Sequence, residues 1–376
     1  MEMKRLPCIL APLLLFAAAT GAAEAQNVRS LGRTVTDSFG GLTIQWPASG
    51  FEAHFEGDSV RARIEDYGDN WLNVEVDGKT TRIDLQPGVH DYELFSGRPG
   101  PHTIKVARRT GSLTGPTRFG SIKADKLTPT EEPARRIMVI GDSIASGFGV
   151  EGKDRTCPYS YDTHNAEMAY PSVLARTFGA DLQSVSVDGH GLFRNYSGDG
   201  ETMRTIAWRT TQDVATPWPT ISWKPQVIVV GLGTMDFAAG DPGDEFDAAY
   251  VSLLRKLRYA WPEAEIYGAI GGLLYGDTYK SAKSSISWAV ETVRNAGDSK
   301  THFVEFTPPA TGHRYGCDWH PGIDAQKFMA GQLQAAVTKD LGWKPVSASP
   351  SPSATNLVAG APASSAVRTP LAVSSR

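Results

Sequence analysis

The most restrictive feature of this sequence is a run of four apolar residues, Ile137 to Ile140, that leads directly into Gly141-Asp142-Ser143. An apolar run without polar alternation is typical of a strand buried on both faces, and the glycine predicts a tight turn at its end. In open parallel sheets, functional residues lie at the carboxyl ends of such strands. The pattern indicates an α/β domain that presents Ser143 at a sheet edge, although the tripeptide by itself is also compatible with a plain turn.

Two regions of the chain differ in the spacing of their apolar residues. Residues 26–132 contain short alternating stretches and a hairpin signal at Asp77-Gly78, which we interpret as an all-β sandwich of the jelly-roll type with a linker at Thr128 to Pro133. Residues 133–343 alternate candidate strands with helical spacing, which predicts a three-layer, flavodoxin-like α/β/α domain with a parallel sheet. The candidate strands are Arg136 to Ile140, Leu182 to Val187, Val227 to Gly231, Glu265 to Ile270 and Phe303 to Phe306.

Both ends of the chain differ from these domains. Residues 1–25 contain Lys4-Arg5, a short apolar core and Ala23-Glu24-Ala25, the three parts of a cleavable secretory signal. Residues 344–376 are rich in Ser, Ala and Pro, which predicts a disordered tail. A net charge of -4 and the lack of a basic stretch argue against nucleic acid or a membrane surface as partner. We expect a secreted or periplasmic monomer.

Two cysteines remain after export, Cys157 and Cys317. An even pair in an oxidising compartment is free to form one disulfide. The alternative is two unpaired, buried thiols.

A serine becomes a nucleophile only when a base accepts its proton. Four of the eight histidines lie in the all-β region of the chain or open a buried strand. The remaining candidates are His164, His190, His313 and His320. His320 is the best placed, because it precedes Pro321 in a loop that leads into the last helix. Asp318 can orient its imidazole directly or through the backbone carbonyl.

Four separated blocks together resemble the SGNH (GDSL-type) hydrolases. They are Gly141-Asp142-Ser143-Ile144, the glycine-rich turn at Gly189, Gly233-Thr234-Met235-Asp236 and Asp318-Trp319-His320-Pro321. The preceding jelly roll resembles that of carbohydrate esterase family 2, as do four motifs: Cys157-Pro158, Ala169-Tyr170-Pro171, the segment from Gly189 to Tyr196 and the segment from Cys317 to Pro321. The resemblance covers residues 30–343.

This resemblance implies a serine esterase that removes O-acetyl groups from plant cell-wall polysaccharides such as xylan or glucomannan, without a metal or an organic cofactor. Ser143 is then the nucleophile and His320 the base. Asp318 either completes a triad or leaves a Ser-His dyad. The disulfide would pin the two halves of the site together. A lipase or thioesterase on the same fold is the competing enzyme class, but it needs a long apolar channel that these polar loops do not suggest.

The oxyanion hole implied by the resemblance is incomplete. Its expected donors are the backbone N–H groups of Ser143 and Gly189, with Gly191 as an alternative, and an Asn in the third block, where Met235 stands. Methionine cannot donate a hydrogen bond. Three explanations are open: Asn195 or the Thr234 hydroxyl replaces the donor, the enzyme is slow, or the domain binds carbohydrate without turnover. The expected substrate contacts are Trp319, Tyr170 and Asn195.

Overall fold

The structure is a computed structural model of the 376-residue chain and describes residues 27–346. The predicted signal peptide, residues 1–25, and nearly all of the predicted tail lie outside the described residues. Within residues 27–346, no helix has both the length and the apolar composition that a membrane span requires.

The first third of the described chain is a β-rich domain built on antiparallel pairs. Its strands are β1 (Arg29–Leu31), β2 (Thr34–Thr36), β3 (Leu42–Ile44), β4 (Gly50–Asp66), β5 (Trp71–Val76), β6 (Lys79–Asp84), β7 (Gly88–Arg108), β8 (Thr117–Lys123) and β9 (Lys126–Pro129). The sheet runs β2-β3-β8-β4-β7-β5-β6, with β1 and β9 also paired to β4. Register shifts after Gly57 and Val60 interrupt the long β4–β7 pair. The two halves of this ribbon enclose one apolar core around Phe51, Ile64 and Val106.

The turn predicted in this domain is confirmed, whereas the start of the predicted linker is wrong. Val76 and Lys79 pair across Asp77-Gly78, and both turn residues have positive φ (50° and 79°), as a two-residue type I′ hairpin requires. Lys126–Pro129 forms β9 and pairs with β4, so the strand continues into the segment expected to be a linker. Four residues carry too little alternation to distinguish a strand from a linker.

The second domain is a five-stranded parallel sheet covered by helices on both faces. The strands are β10 (Arg136–Gly141), β11 (Asp181–Ser186), β12 (Val227–Gly231), β13 (Glu265–Gly271) and β14 (Thr301–Phe306). The helices are α1 (Ser143–Ser146), α2 (Tyr170–Phe178), α3 (Met203–Ile206), α4 (Thr234–Phe237), α5 (Asp244–Ala260), α6 (Gly276–Asn295) and α7 (Ile323–Leu341). The five predicted strands and the parallel sheet are confirmed, with small differences at the strand ends.

Strand β10 shows how the sequence builds three layers. Ile137 and Val139 pack into a core with α2 and α7, whereas Met138 and Ile140 pack into the opposite core with α5 and α6. All four residues are apolar because the strand is covered on both faces. The sheet order is β11-β10-β12-β13-β14, so β10 has neighbours on both sides and the chain changes direction there. Such a switch point opens a crevice at the carboxyl ends of the strands.

The β-rich domain packs against the β11 side of this sheet. Arg33, from the β1–β2 turn, is buried and donates to the carbonyls of Ala207 (2.7 Å) and Arg209 (2.8 Å) in the second domain. Burial lowers the pKa of Arg33 to about 9. At the carboxyl end of β11, the Ser112 hydroxyl donates to the Ser186 carbonyl (3.3 Å). The first domain therefore extends to the sheet edge that carries Ser143.

Candidate active site

Ser143 begins α1 directly after the turn that ends β10, as the sequence predicts. The Asp142 carboxylate caps this short helix by accepting a hydrogen bond from the Ile144 amide (2.9 Å). A side chain at Gly141 would lie 2.6 Å from Ala145 Cβ, so only glycine allows the helix to start so close to the strand. Ser143 and Asp142 are both buried, and burial raises the pKa of Asp142 to about 7.

His320 lies against Ser143, with its Nε2 atom 2.9 Å from Ser143 Oγ. Its Nδ1 atom is 3.0 Å from the backbone carbonyl of Asp318. A carbonyl oxygen only accepts hydrogen bonds, so Nδ1 carries the proton and Nε2 is left as the acceptor for the serine hydroxyl. Burial lowers the pKa of His320, which favours the neutral ring. The geometry is that of a serine nucleophile and its general base.

Asp318 contributes its backbone carbonyl to this arrangement. Its carboxylate is exposed and lies 3.3 Å from the Tyr159 amide, which donates to it. Asp318 (φ 48°) and Trp319 (φ 64°) both adopt the left-handed conformation, which non-glycine residues rarely adopt. This backbone turn aims the carbonyl at His320. Asp318, the residue expected to be the triad acid, therefore contacts His320 through its backbone carbonyl and not through its carboxylate.

The loop that carries His320 is tied to the segment that follows α1. Cys157 and Cys317 form a disulfide, as one of the two alternatives predicted. The Asp318 amide donates to the Cys157 carbonyl (3.1 Å), and the Trp319 amide donates to the Arg155 carbonyl (3.2 Å). A Cβ atom at Gly152 would lie 2.2 Å from Cys317 Sγ, so glycine is required for this close approach.

Two backbone N–H groups are free to act as oxyanion donors. Within residues 27–346, the amides of Ser143 and Gly189 make no hydrogen bond. Gly189 has a φ of 71°, and no atom lies within 4 Å of the position its Cβ would take, so its backbone is open to approach. Gly191, the alternative donor, is engaged because its amide donates to Asn195 Oδ1 (3.2 Å).

The third block holds this turn in place through Asp236. Its buried carboxylate accepts hydrogen bonds from the amides of Leu192 (3.0 Å), Phe193 (2.7 Å) and Arg194 (2.9 Å). Met235, one residue earlier in α4, is also buried, and its thioether supplies no donor. Asp236 therefore orders the turn that presents Gly189, while the position of the expected Asn donor is filled by an apolar side chain.

Two of the expected substrate contacts lie behind the cleft, and the prediction is corrected for both. The side-chain nitrogen of Asn195 donates to the carbonyls of Asp199 (2.7 Å) and Glu201 (3.1 Å), so it closes its own loop and cannot replace the missing donor. Tyr170 is 1% exposed, with its ring against Phe306, because it fills the core beneath the sheet edge. Neither side chain is available to a ligand.

Two exposed aromatic side chains lie on the loops that carry His320 and Gly189. Trp319, beside His320, is 49% exposed, and the Arg155 guanidinium lies 4.4 Å from its ring centroid. Tyr196 is 73% exposed and its amide donates to the Gly189 carbonyl (2.9 Å). Trp319 is one of the predicted substrate contacts, whereas Tyr196, the last residue of the glycine-rich motif, was not predicted as one. Its place directly after the glycine-rich turn was the available signal.

The other candidate histidines have structural partners. Buried His164 donates from Nε2 to the Ser146 carbonyl (2.9 Å) and accepts from the Tyr159 hydroxyl at Nδ1 (3.1 Å). His313 donates from Nε2 to the Gly152 carbonyl (2.7 Å). His190 lies 2.9 Å from the Asp188 carbonyl through Nδ1. His320 is the candidate that contacts Ser143.

The disulfide is expected to support both stability and the position of His320. Replacing both cysteines (Cys157→Ser with Cys317→Ser) should lower the free energy of unfolding by up to about 5 kcal/mol, because the bridge closes a long loop. It should also slow covalent labelling of Ser143 by a fluorophosphonate about 10- to 100-fold, since a displaced His320 no longer accepts the serine proton. Denaturant unfolding and labelling rates measure the two effects. Unchanged labelling in a folded double variant would contradict the positioning role.

Comparison with known proteins supports the same organisation. Residues 30–133 match the family described as Carbohydrate esterase 2 N-terminal, and residues 139–327 match the GDSL-like Lipase/Acylhydrolase family. The chain is 30% identical over 310 residues to the cellulase/esterase CelE of Acetivibrio thermocellus. This match covers 81% of the present chain but only 38% of CelE. It is 28% identical over 311 residues to an acetylxylan esterase/glucomannan deacetylase of Cellvibrio japonicus. That match covers 77% of the present chain and 84% of the relative.

A solved structure extends the likeness to three dimensions. The family two carbohydrate esterase from Clostridium thermocellum in complex with cellohexaose superposes with a TM-score of 0.81 at 29% identity, covering 84% of this chain and 99% of that one. The fold is that of the SGNH hydrolases, with a β-rich domain in front. The chain belongs to the GDSL-like lipase/acylhydrolase family, and its first domain is that of the family 2 carbohydrate esterases.

Proposed function

We propose that this protein is a carbohydrate O-acetyl esterase that removes acetyl groups from plant cell-wall polysaccharides such as xylan or glucomannan. The observation that carries this proposal is the 2.9 Å contact between Ser143 Oγ and His320 Nε2, with the other imidazole nitrogen held by the Asp318 carbonyl. The acetylxylan esterase/glucomannan deacetylase of Cellvibrio japonicus supports the substrate class. Exposed Trp319 and Tyr196 suit a sugar chain, since aromatic rings pack against sugar faces.

The proposed reaction has two halves. His320 Nε2 accepts the hydroxyl proton as Ser143 Oγ attacks the acetyl carbonyl carbon, and the free amides of Ser143 and Gly189 face the oxyanion. The sugar oxygen leaves with the proton from His320, and an acetyl-enzyme ester remains on Ser143. Water then attacks this ester while His320 accepts a proton from it, the Ser143 oxygen leaves with that proton, and acetate is released. The Asp318 carbonyl keeps His320 in the required tautomer throughout.

We also propose that the protein is exported and that its first domain is a jelly roll. The secretory-signal pattern predicted in residues 1–25 and the disulfide between Cys157 and Cys317 support export, because disulfides persist in oxidising compartments. The bent β4–β7 ribbon, flanked by strands on both sides, supports the jelly roll.

Acetate release tests the proposed activity. Wild type should release acetate from acetylated xylan or glucomannan, and Ser143→Ala should lose at least about 1000-fold in rate, because nucleophile and base act as a unit. Among p-nitrophenyl esters, the acetyl ester should be hydrolysed faster than the octanoyl ester. Equal rates for wild type and Ser143→Ala would contradict the esterase proposal, and a preference for octanoate would favour a lipase or thioesterase.

A carbohydrate-binding protein with a weakened site is the second candidate, and Met235 favours it. One missing oxyanion donor typically costs about 100- to 1000-fold in turnover. If the site lacks that donor, Met235→Asn should raise kcat on acetylated xylan with little change in KM. The matched control is Met235→Leu, which keeps an apolar side chain and should behave as wild type. An Asn variant no faster than wild type would mean that the two backbone donors suffice.

The pH dependence follows from the buried state of His320. Burial lowers its pKa below the ordinary value of about 6.5. Because only the neutral ring accepts the serine proton, kcat/KM should remain high at pH 6.5 and fall along an acid limb below it. Asp142, whose pKa burial raises to about 7, is the neighbouring group that could give a second limb. An acid limb that persists in Asp142→Asn belongs to His320, whereas a limb above pH 6.5 in that variant contradicts the assignment.

A further inference from the structure

Among residues 27–346, no carboxylate is hydrogen-bonded to Ser143 Oγ or to the His320 ring. The Asp318 carbonyl fixes the His320 tautomer, but it carries no formal charge, and the Asp318 carboxylate is exposed beside the Tyr159 amide. His320 itself is only 8% exposed, so the imidazolium that forms during the reaction is poorly solvated. A negative charge elsewhere near the pair would offset the free-energy cost of forming this poorly solvated cation.

We propose that Asp188, in the turn after β11, is a positioning residue that supplies this negative charge and fixes the backbone of Ser143. This inference rests on the proposed esterase function. Asp188 Oδ1 lies 2.5 Å from the Ser146 hydroxyl oxygen, which is also 3.0 Å from the Ser143 carbonyl, so the single hydroxyl proton is shared between these two acceptors. Ser143 in turn contacts His320. One side chain, Ser146, thus separates the Asp188 carboxylate from the residue that carries the nucleophile.

The β-rich domain closes over Asp188. A Cβ atom at Gly111 would lie 2.5 Å from Asp188 Oδ2 and 3.1 Å from His164 Cε1, so the Gly111 backbone lies directly against the carboxylate. The buried Arg108 side chain donates to the Gly111 carbonyl (2.8 Å) and holds this loop. Because the loop keeps water away from one side, the charge of Asp188 acts over a longer range than an exposed charge does. This is a contribution of the first domain to the site.

The charges around Asp188 are mixed, because the buried Arg108 guanidinium partly offsets the carboxylate. The ionisable groups that interact with His320 or with Asp188 are Asp318, Asp142, His164, Tyr159 and Arg108. Burial lowers the pKa of His164, so its ring is neutral and does not cancel the carboxylate. Burial also lowers the pKa of His320, while the Asp318 carbonyl and then the charges of Asp188 and Asp318 raise it.

Matched amide variants separate the two carboxylates. Asp188→Asn keeps an oxygen for the Ser146 hydroxyl but removes the charge, and it should lower kcat on p-nitrophenyl acetate about 10- to 100-fold with KM little changed. Its acid limb should move to lower pH, because a cationic His320 loses a stabilising charge. Asp318→Asn keeps the backbone carbonyl and should lower kcat less than Asp188→Asn does, since exposed charges contribute little. The proposal is overturned if Asp188→Asn leaves the acid limb unchanged or if Asp318→Asn has the larger effect.

Two further measurements keep the test decisive. Ser146→Ala removes the hydrogen bond but retains the Asp188 charge, so it should lower kcat without moving the acid limb. A limb that shifts equally in Ser146→Ala would mean that geometry, and not charge, is responsible. The pH dependence of fluorophosphonate labelling at Ser143 reports the state of His320 without any acetyl substrate. If the wild-type protein is labelled normally but releases no acetate from polysaccharide, the proposed function is wrong. The labelling rates of the variants would still test the role of Asp188.

Discussion

The hydrogen bond from His320 Nδ1 to the Asp318 carbonyl is the interaction on which the site depends. It leaves Nε2 free to accept the proton of Ser143, 2.9 Å away. A carbonyl does this only when the backbone is bent toward the ring, and two successive residues in the left-handed conformation provide that bend. Such a turn is costly, so it needs support from its surroundings. The disulfide and the backbone hydrogen bonds to the segment after α1 supply that support.

Polar contacts to the backbone also hold the other loops of the cleft. The Asp236 carboxylate, in α4 after β12, accepts hydrogen bonds from three backbone amides that follow Gly189. Gly111 and Ser112 approach from the β-rich domain and contact the turn after β11. Loops from two domains are therefore held by a few buried polar contacts around one sheet edge, where the order of strands changes direction.

The sequence was sufficient for those features that depend on local pattern. The apolar run before Gly141, the periodicity of the later helices and the position of His320 before the last helix all predicted what the structure shows. Features that depend on long-range packing were not predictable. Tyr170 belongs to a motif of the resemblance, but its burial depends on Phe306, over a hundred residues away. Asp188 follows a strand like many turn residues, and only the fold brings Ser146 and Gly111 to it.

The central claim is that Ser143, activated by His320, becomes acetylated during turnover. Rapid quenching of the enzyme with an acetylated substrate, followed by peptide mass spectrometry, tests this directly. The account predicts one acetyl group on the peptide that contains Ser143, and none in the matching peptide of Ser143→Ala. Release of acetate at the full rate, with no acetyl group on that peptide even when deacylation is slowed by low temperature, would contradict it.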